Sequence, residues 1–97
     1  MSVSSQTTSF SLYHHRSCPF CAYTRSAMKP IDIEVEERDI VRNPAYRSEL
    51  INGGGRAQVP CLRIESKGKV RWLYESQDIV RYLQRHAAQS ADHNQTA

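Results

Sequence analysis

The 97-residue sequence predicts an α/β fold of order β-α-β-α-β-β-α, a four-stranded mixed sheet flanked by helices. Three observations carry that expectation. Segments 10–14 ("FSLYH") and 33–40 ("IEVEERDI") alternate apolar and polar residues as strands do, and they enclose one helical segment. Two helix starts pair a capping position with a proline, at Cys18–Pro19 and Asn43–Pro44. Two further strand-like runs flank "SKGK" at 66–69 as an antiparallel hairpin, and a final amphipathic helix follows.

Each element has a local cause. Proline has no N–H to lose in the first turn, so Pro19 opens the first helix and places Cys18 at its N-cap. Cys21, Thr24, Met28 and Ile31 then share one face, and Pro30 ends or kinks the helix. Ile33 and Val35 alternate with Glu34 and Glu36, and strand–helix–strand order predicts a right-handed crossover to a parallel partner. Asn43 caps a second helix that stops at "NGGG", 52–55; those glycines either end the helix or give backbone room beside a ligand. "VPCLRIE" and "KVRWLYE" form the hairpin arms. Ser76 is expected to cap the last helix, with Asp78 in its first turn and Ile79, Val80, Leu83 and Ala87 as its buried stripe. Segments 1–9 and 88–97 are polar and read as flexible tails, leaving a folded domain at 10–87.

Composition narrows the function. Thirteen basic against ten acidic residues give a net charge of +3, too little to argue for nucleic acid or an anionic membrane, though compatible with a small anionic ligand. No apolar run approaches the roughly 20 residues of a spanning helix. The start, "MSVSSQTTSF", has neither a basic head nor an apolar run, so no signal peptide is expected and the cytoplasm is the expected location. Three cysteines are few and odd in number for a disulfide scaffold. In a reducing compartment Cys-x-x-Cys is more often catalytic or metal-binding than structural.

Chemistry concentrates at three places. A sulfur at a helix N-cap faces unpaired N–H groups and the positive dipole end, which favour thiolate, the nucleophile of disulfide exchange; Cys18 has that position, with His15 and Arg16 just before it. Cys21 lies one turn on, as a resolving thiol or a packed residue. "QVPC", 58–61, holds Val59 extended before Pro60. A trans proline at a strand start is the ordinary reading there; a cis bond would present the Val59 N–H and C=O to an extended peptide. "YESQD", 74–78, opens the last helix with Ser76 as an anion site and Glu75 as a partner for an ammonium, or it is a plain cap. A ligand with an α-carboxylate and an α-amine would satisfy both.

Across 10–87 the chain resembles a glutaredoxin, with features of the N-terminal domain of glutathione transferases. "CPFC" at 18–21 is similar to the dithiol motif of that family, "QVP" at 58–60 to its "TVP" with a cis proline, and "ES" at 75–76 to the transferase pair that holds the γ-glutamyl end of glutathione. The resemblance implies a thioredoxin-like fold, glutathione as co-substrate, no metal, and reduction of glutathionylated or disulfide-bonded proteins by a monomer. It implies Cys18 as nucleophile, Cys21 as resolving thiol, and a redox-active Cys18–Cys21 disulfide. Phe20, Val59 and Pro60 would line the sulfur and cysteinyl part, and Glu75 and Ser76 the γ-glutamyl end. The family's lysine three residues before the first cysteine is His15 here, so His15, Arg16 or Arg56 is left to meet the glycine carboxylate. The family's Gly-Gly before the last helix is replaced by Leu73–Tyr74, a bulkier wall.

Two alternatives remain at this level. Cys18, Cys21, Cys61 and His14 or His15 make a possible zinc set, or Cys18 shares an iron–sulfur cluster between chains. The Glu-Ser pair alone suits a transferase-like glutathione-binding domain. Cys61 itself reads as a core strand residue or an extra redox or metal group, "EVEERD" as a solvated strand face, and His86 as dipole compensation near a helix C-terminus.

Overall fold

Strand β1, Thr8–His14, is central to the sheet. It pairs in parallel with β2, Glu36–Asp39, and antiparallel with β3, Cys61–Ser66, which in turn pairs antiparallel with β4, Lys69–Leu73. The order is β2-β1-β3-β4. Helices α1, Pro19–Met28, α2, Pro44–Glu49, and α3, Ser76–Thr96, complete the β-α-β-α-β-β-α succession expected from the sequence. These positions come from a computed structural model that describes residues 8–96; most of the N-terminal segment expected to be a tail lies outside the described residues.

The strand period of two sorts side chains onto two layers. Phe10, Leu12, Leu62 and Ile64 point to one face and pack with Ile79 and Leu83 of α3, with Met28 of α1 at the margin. Tyr13 and Cys61 point to the other and pack with Ile40 and Leu50, edged by Tyr46, Val59, Trp72 and Tyr74. Both faces of β1 are covered, so every residue from Phe10 to His14 is buried despite the alternating pattern. Among the described residues no helix is long and apolar enough to cross a membrane.

Local details depart from the sequence reading for identifiable reasons. β2 is shorter than 33–40, because the chain is still turning there: the Ile31 N–H donates to Met28 C=O and the Ile33 N–H to Ile31 C=O, each at 2.9 Å. Ile33 and Val35 still pack against the core from outside the strand. Ser76 is the first helical residue, one place inside its expected cap, since the Ile79 N–H donates to Glu75 C=O at 2.9 Å. α3 continues past Ala87 to Thr96, through a run with no proline or glycine to stop it. His86 is therefore not near the helix end; its ring meets Phe10 edge-on at 5.1 Å and stacks on Tyr82 at 6.3 Å. "EVEERD" is only partly a solvated face. Arg38 lies over the Tyr13 and Tyr46 rings and donates to Glu36, Tyr13 and Glu49 at 2.8–2.9 Å, tying α2 to the sheet.

The Asn43 side chain accepts from the Ala45 N–H at 3.1 Å, as its capping role requires. α2 runs on into a π-helical turn, Leu50–Gly54, and ends at Gly55 in the left-handed region with φ 102°. Gly53 and Gly54 have a different job. A methyl group on Gly53 would strike the Trp72 indole, and one on Gly54 the Tyr74 hydroxyl. The backbone room is thus for aromatic side chains. Gly53→Ala should destabilise the fold by about 1–3 kcal/mol, seen as a lower urea midpoint at unchanged slope.

Candidate active site

The turn between β1 and α1 builds the centre. The Cys18 N–H donates to His15 C=O at 3.3 Å, and the Ser17 N–H donates to His15 Nδ1 at 3.2 Å. With φ −87° and ψ 116°, Cys18 occupies the N-cap and Pro19 the first helical position. Cys18 Sγ accepts from the Cys21 N–H at 3.4 Å, a bond that strengthens when the sulfur carries charge. Cys18 is half-buried, Cys21 is fully buried, and both are thiols in this structure. Burial, and next the hydrogen bond with Cys18, push the Cys21 thiol up to about 12.

The Val59–Pro60 bond is cis, as the resemblance implies, and Val59 C=O lies 3.9 Å from Cys18 Sγ. The "CPFC" turn and the "QVP" loop therefore meet. Phe20 stands beside them with 64% of its surface exposed, and Tyr23, one turn further, with 50%. Arg16 is exposed, and the N–H groups of Arg42 and Val41 hold the Asp39 carboxyl low, with a smaller contribution from the Arg16 charge. Arg56 lies with its guanidinium carbon 4.4 Å from the Tyr74 ring centroid, and the Tyr74 hydroxyl donates to Arg56 C=O at 3.0 Å. Glu75 is exposed and Ser76 half-buried at the start of α3.

Two neighbouring groups are not part of this surface. Cys61 is fully buried on the α2 side of the sheet, and burial pushes its thiol up to about 12, against a smaller opposing effect of Tyr74. It is a core residue. His14 is buried against the other layer, where burial lowers its pKa, so its 3.8 Å approach to Glu37 is not an ion pair at neutral pH. Among the described residues no three His, Cys, Asp or Glu side chains gather as a metal ion would need, and the set Cys18, Cys21, Cys61 with His14 or His15 is not assembled. Brief alkylation at neutral pH should label Cys18 and spare Cys21 and Cys61; peptide mapping reads the result.

A model of the glutaredoxin family matches residues 8–70. The chain belongs to the glutaredoxin family. Its match stops before Glu75 and Ser76. No curated protein matches this glutaredoxin in sequence. Among solved structures, a glutaredoxin from Brucella melitensis matches with TM-score 0.54 at 20% identity, over 90% of this chain and 88% of its own. A maleylacetoacetate isomerase from Anaeromyxobacter dehalogenans 2CP-1, solved with GSH in its active site, matches with TM-score 0.65 at 21% identity, over 86% of this chain and 39% of its own. Glutathione transferase Omega 1C from Trametes versicolor matches with TM-score 0.64 at 18% identity, over 84% of this chain and 38% of its own. At these identities the likeness is one of fold, and it is thioredoxin-like. The chain spans about two fifths of the isomerase and transferase chains.

Tyr74 is the residue that sequence reasoning undervalued. It read as a bulky substitute for glycine, and it is the contact between the 54–56 turn and the start of α3. The signal lay in "GGGR" and "LYES" together, since a glycine lets an aromatic side chain lie close against the backbone.

Proposed function

We propose that this chain is a glutathione-dependent thiol–disulfide oxidoreductase with Cys18 as its nucleophile. One observation carries the reading. Cys18 Sγ is half-exposed, accepts the Cys21 N–H at 3.4 Å and lies 3.9 Å from Val59 C=O beside a cis proline. The sulfur is thus held as an acceptor next to an open peptide edge. A ligand cysteine pairing with Val59 would bring its sulfur to Cys18.

In the proposed cycle the Cys18 thiolate attacks the glutathione sulfur of a mixed disulfide. The old S–S bond breaks, the substrate sulfur leaves with the electron pair and takes a proton, and Cys18 carries glutathione. A second glutathione thiolate attacks that sulfur, releasing glutathione disulfide and the Cys18 thiolate. Phe20, Val59 and Pro60 line the sulfur, Glu75 and Ser76 hold the γ-glutamyl end, and His15 and Arg16 stand at the glycine end. For a protein disulfide, Cys18 attacks one of its sulfurs and frees the other as a thiol. Cys21 then loses its proton and attacks Cys18 in that mixed disulfide, and the second protein sulfur leaves with the electron pair and takes a proton. Two glutathiones reduce the resulting Cys18–Cys21 disulfide while becoming glutathione disulfide. Burial of Cys21 disfavours that deprotonation. We place the activity in a cytoplasmic monomer.

Glutathione-dependent reduction of a small glutathione mixed disulfide, followed through NADPH-coupled glutathione reductase, tests the reading. Absence of turnover in the wild-type chain would sink it. A transferase-like reading is favoured by Glu75–Ser76 at the start of α3 and by the transferase Omega 1C fold match. Conjugation of glutathione to an electrophile without thiol exchange would select it instead.

A further inference from the structure

We propose that Tyr74 is a positioning residue that holds Arg56 at the γ-glutamyl end of the site, where Arg56 takes the α-carboxylate of glutathione alongside Ser76. The inference rests on the glutathione reading above and deepens it. From sequence, Arg56 was one of three cations available to the glycine carboxylate. The structure separates those three. His15 and Arg16 directly follow His14, the β1 residue that pairs with Asp39 of β2. Arg56 is held on the β4 side, against the residue that directly precedes Glu75 and Ser76. The sheet order β2-β1-β3-β4 puts Cys18, after β1, and Val59, before β3, between the two groups. A tripeptide lying across Cys18 and Val59 therefore meets Arg56 at one end and His15 with Arg16 at the other.

Three contacts fix Arg56. The Tyr74 ring lies under its guanidinium at 4.4 Å, the Tyr74 hydroxyl donates to its C=O at 3.0 Å, and Gly54 leaves the space that the hydroxyl occupies. Stacking engages the flat face of a guanidinium and leaves its in-plane N–H fork for a carboxylate. Among the described residues no carboxylate lies within ion-pair distance of Arg56, so none of them occupies that fork. The two parts divide the work: Arg56 meets the ligand, and Tyr74 acts only through Arg56.

Steady-state kinetics with three thiols test this: glutathione, its glycine ethyl ester, and 4-aminobutyryl-cysteinyl-glycine, which lacks the α-carboxylate. Arg56→Ala should raise KM for glutathione and for the ester alike, by about tenfold, and leave KM for the third thiol within about twofold. Tyr74→Leu should reproduce that pattern at unchanged kcat, and the double variant should be no worse than Arg56→Ala alone. Tyr74→Phe keeps the ring and loses the hydroxyl bond to Arg56 C=O, so its KM should lie between those of wild type and Tyr74→Leu. A merely structural role for Tyr74 would penalise all three thiols equally. A penalty that vanishes with the ester, or additive effects of the two substitutions, overturns the proposal while glutathione turnover stands. A wild-type chain with no saturable dependence on glutathione overturns the underlying reading as well. Should Tyr74→Leu fail to fold by circular dichroism, Arg56→Lys decides: it keeps the charge and loses the planar stack, and a wild-type KM in that variant overturns the role of the stack.

Discussion

Cys18→Ser is expected to lower glutathione-dependent turnover by more than about a thousandfold, because a hydroxyl cannot exchange with a disulfide sulfur as a thiolate does. The site offers no replacement. Cys21 is fully buried with its thiol pushed up to about 12, and Cys61 is sealed on the opposite side of the sheet. Cys21→Ser should behave differently. It removes neither the nucleophile nor the Cys21 N–H that Cys18 Sγ accepts, because that donor is backbone. Turnover of glutathione mixed disulfides should stay within about threefold of wild type, with only the reduction of protein disulfides impaired. Equal losses in the two variants would contradict the division of roles.

A second large effect is expected from pH. The Cys21 and Cys61 thiols are both pushed up to about 12 by burial, above the ordinary thiol value of 9.0. In the unfolded chain they ionise near their ordinary value, so between about pH 9 and 12 the folded state binds more protons than the unfolded one. Their contribution to stability is fully present below pH 9 and falls as pH rises through that window. Tyr13 and Tyr74, also raised by burial, act in the same direction at higher pH. Thermal melts should show the midpoint dropping steeply above pH 9. Cys61→Ala, which costs some core packing at every pH, should flatten that drop; an unchanged slope would remove Cys61 from the account.

The strands, helices and their order were legible because each depends on local chemistry. Pro19 and Pro44 fix helix starts, Gly55 ends the second helix, and the "SKGK" turn defines the hairpin. The centre of the site was legible for the same reason: one proline sets the N-cap position of Cys18. What escaped was long-range. Nothing near "EVEERD" shows that Arg38 will reach Glu49 of α2, and nothing near Leu73–Tyr74 shows that its ring will lie under Arg56. The start of β2 was misjudged because alternation at Ile33 and Val35 records burial, which a non-strand segment packed on the core also provides.

On the proposed mechanism Cys18 attacks the glutathione sulfur of a mixed disulfide. The direct measurement is a single-turnover trap: Cys21→Ser incubated with a glutathionylated peptide and no free glutathione, then analysed intact and after digestion by mass spectrometry without reductant. The mechanism predicts glutathione disulfide-bonded to Cys18 and the peptide released as a free thiol. Peptide attached to Cys18 with glutathione released, or a Cys18 that remains unmodified, would contradict it.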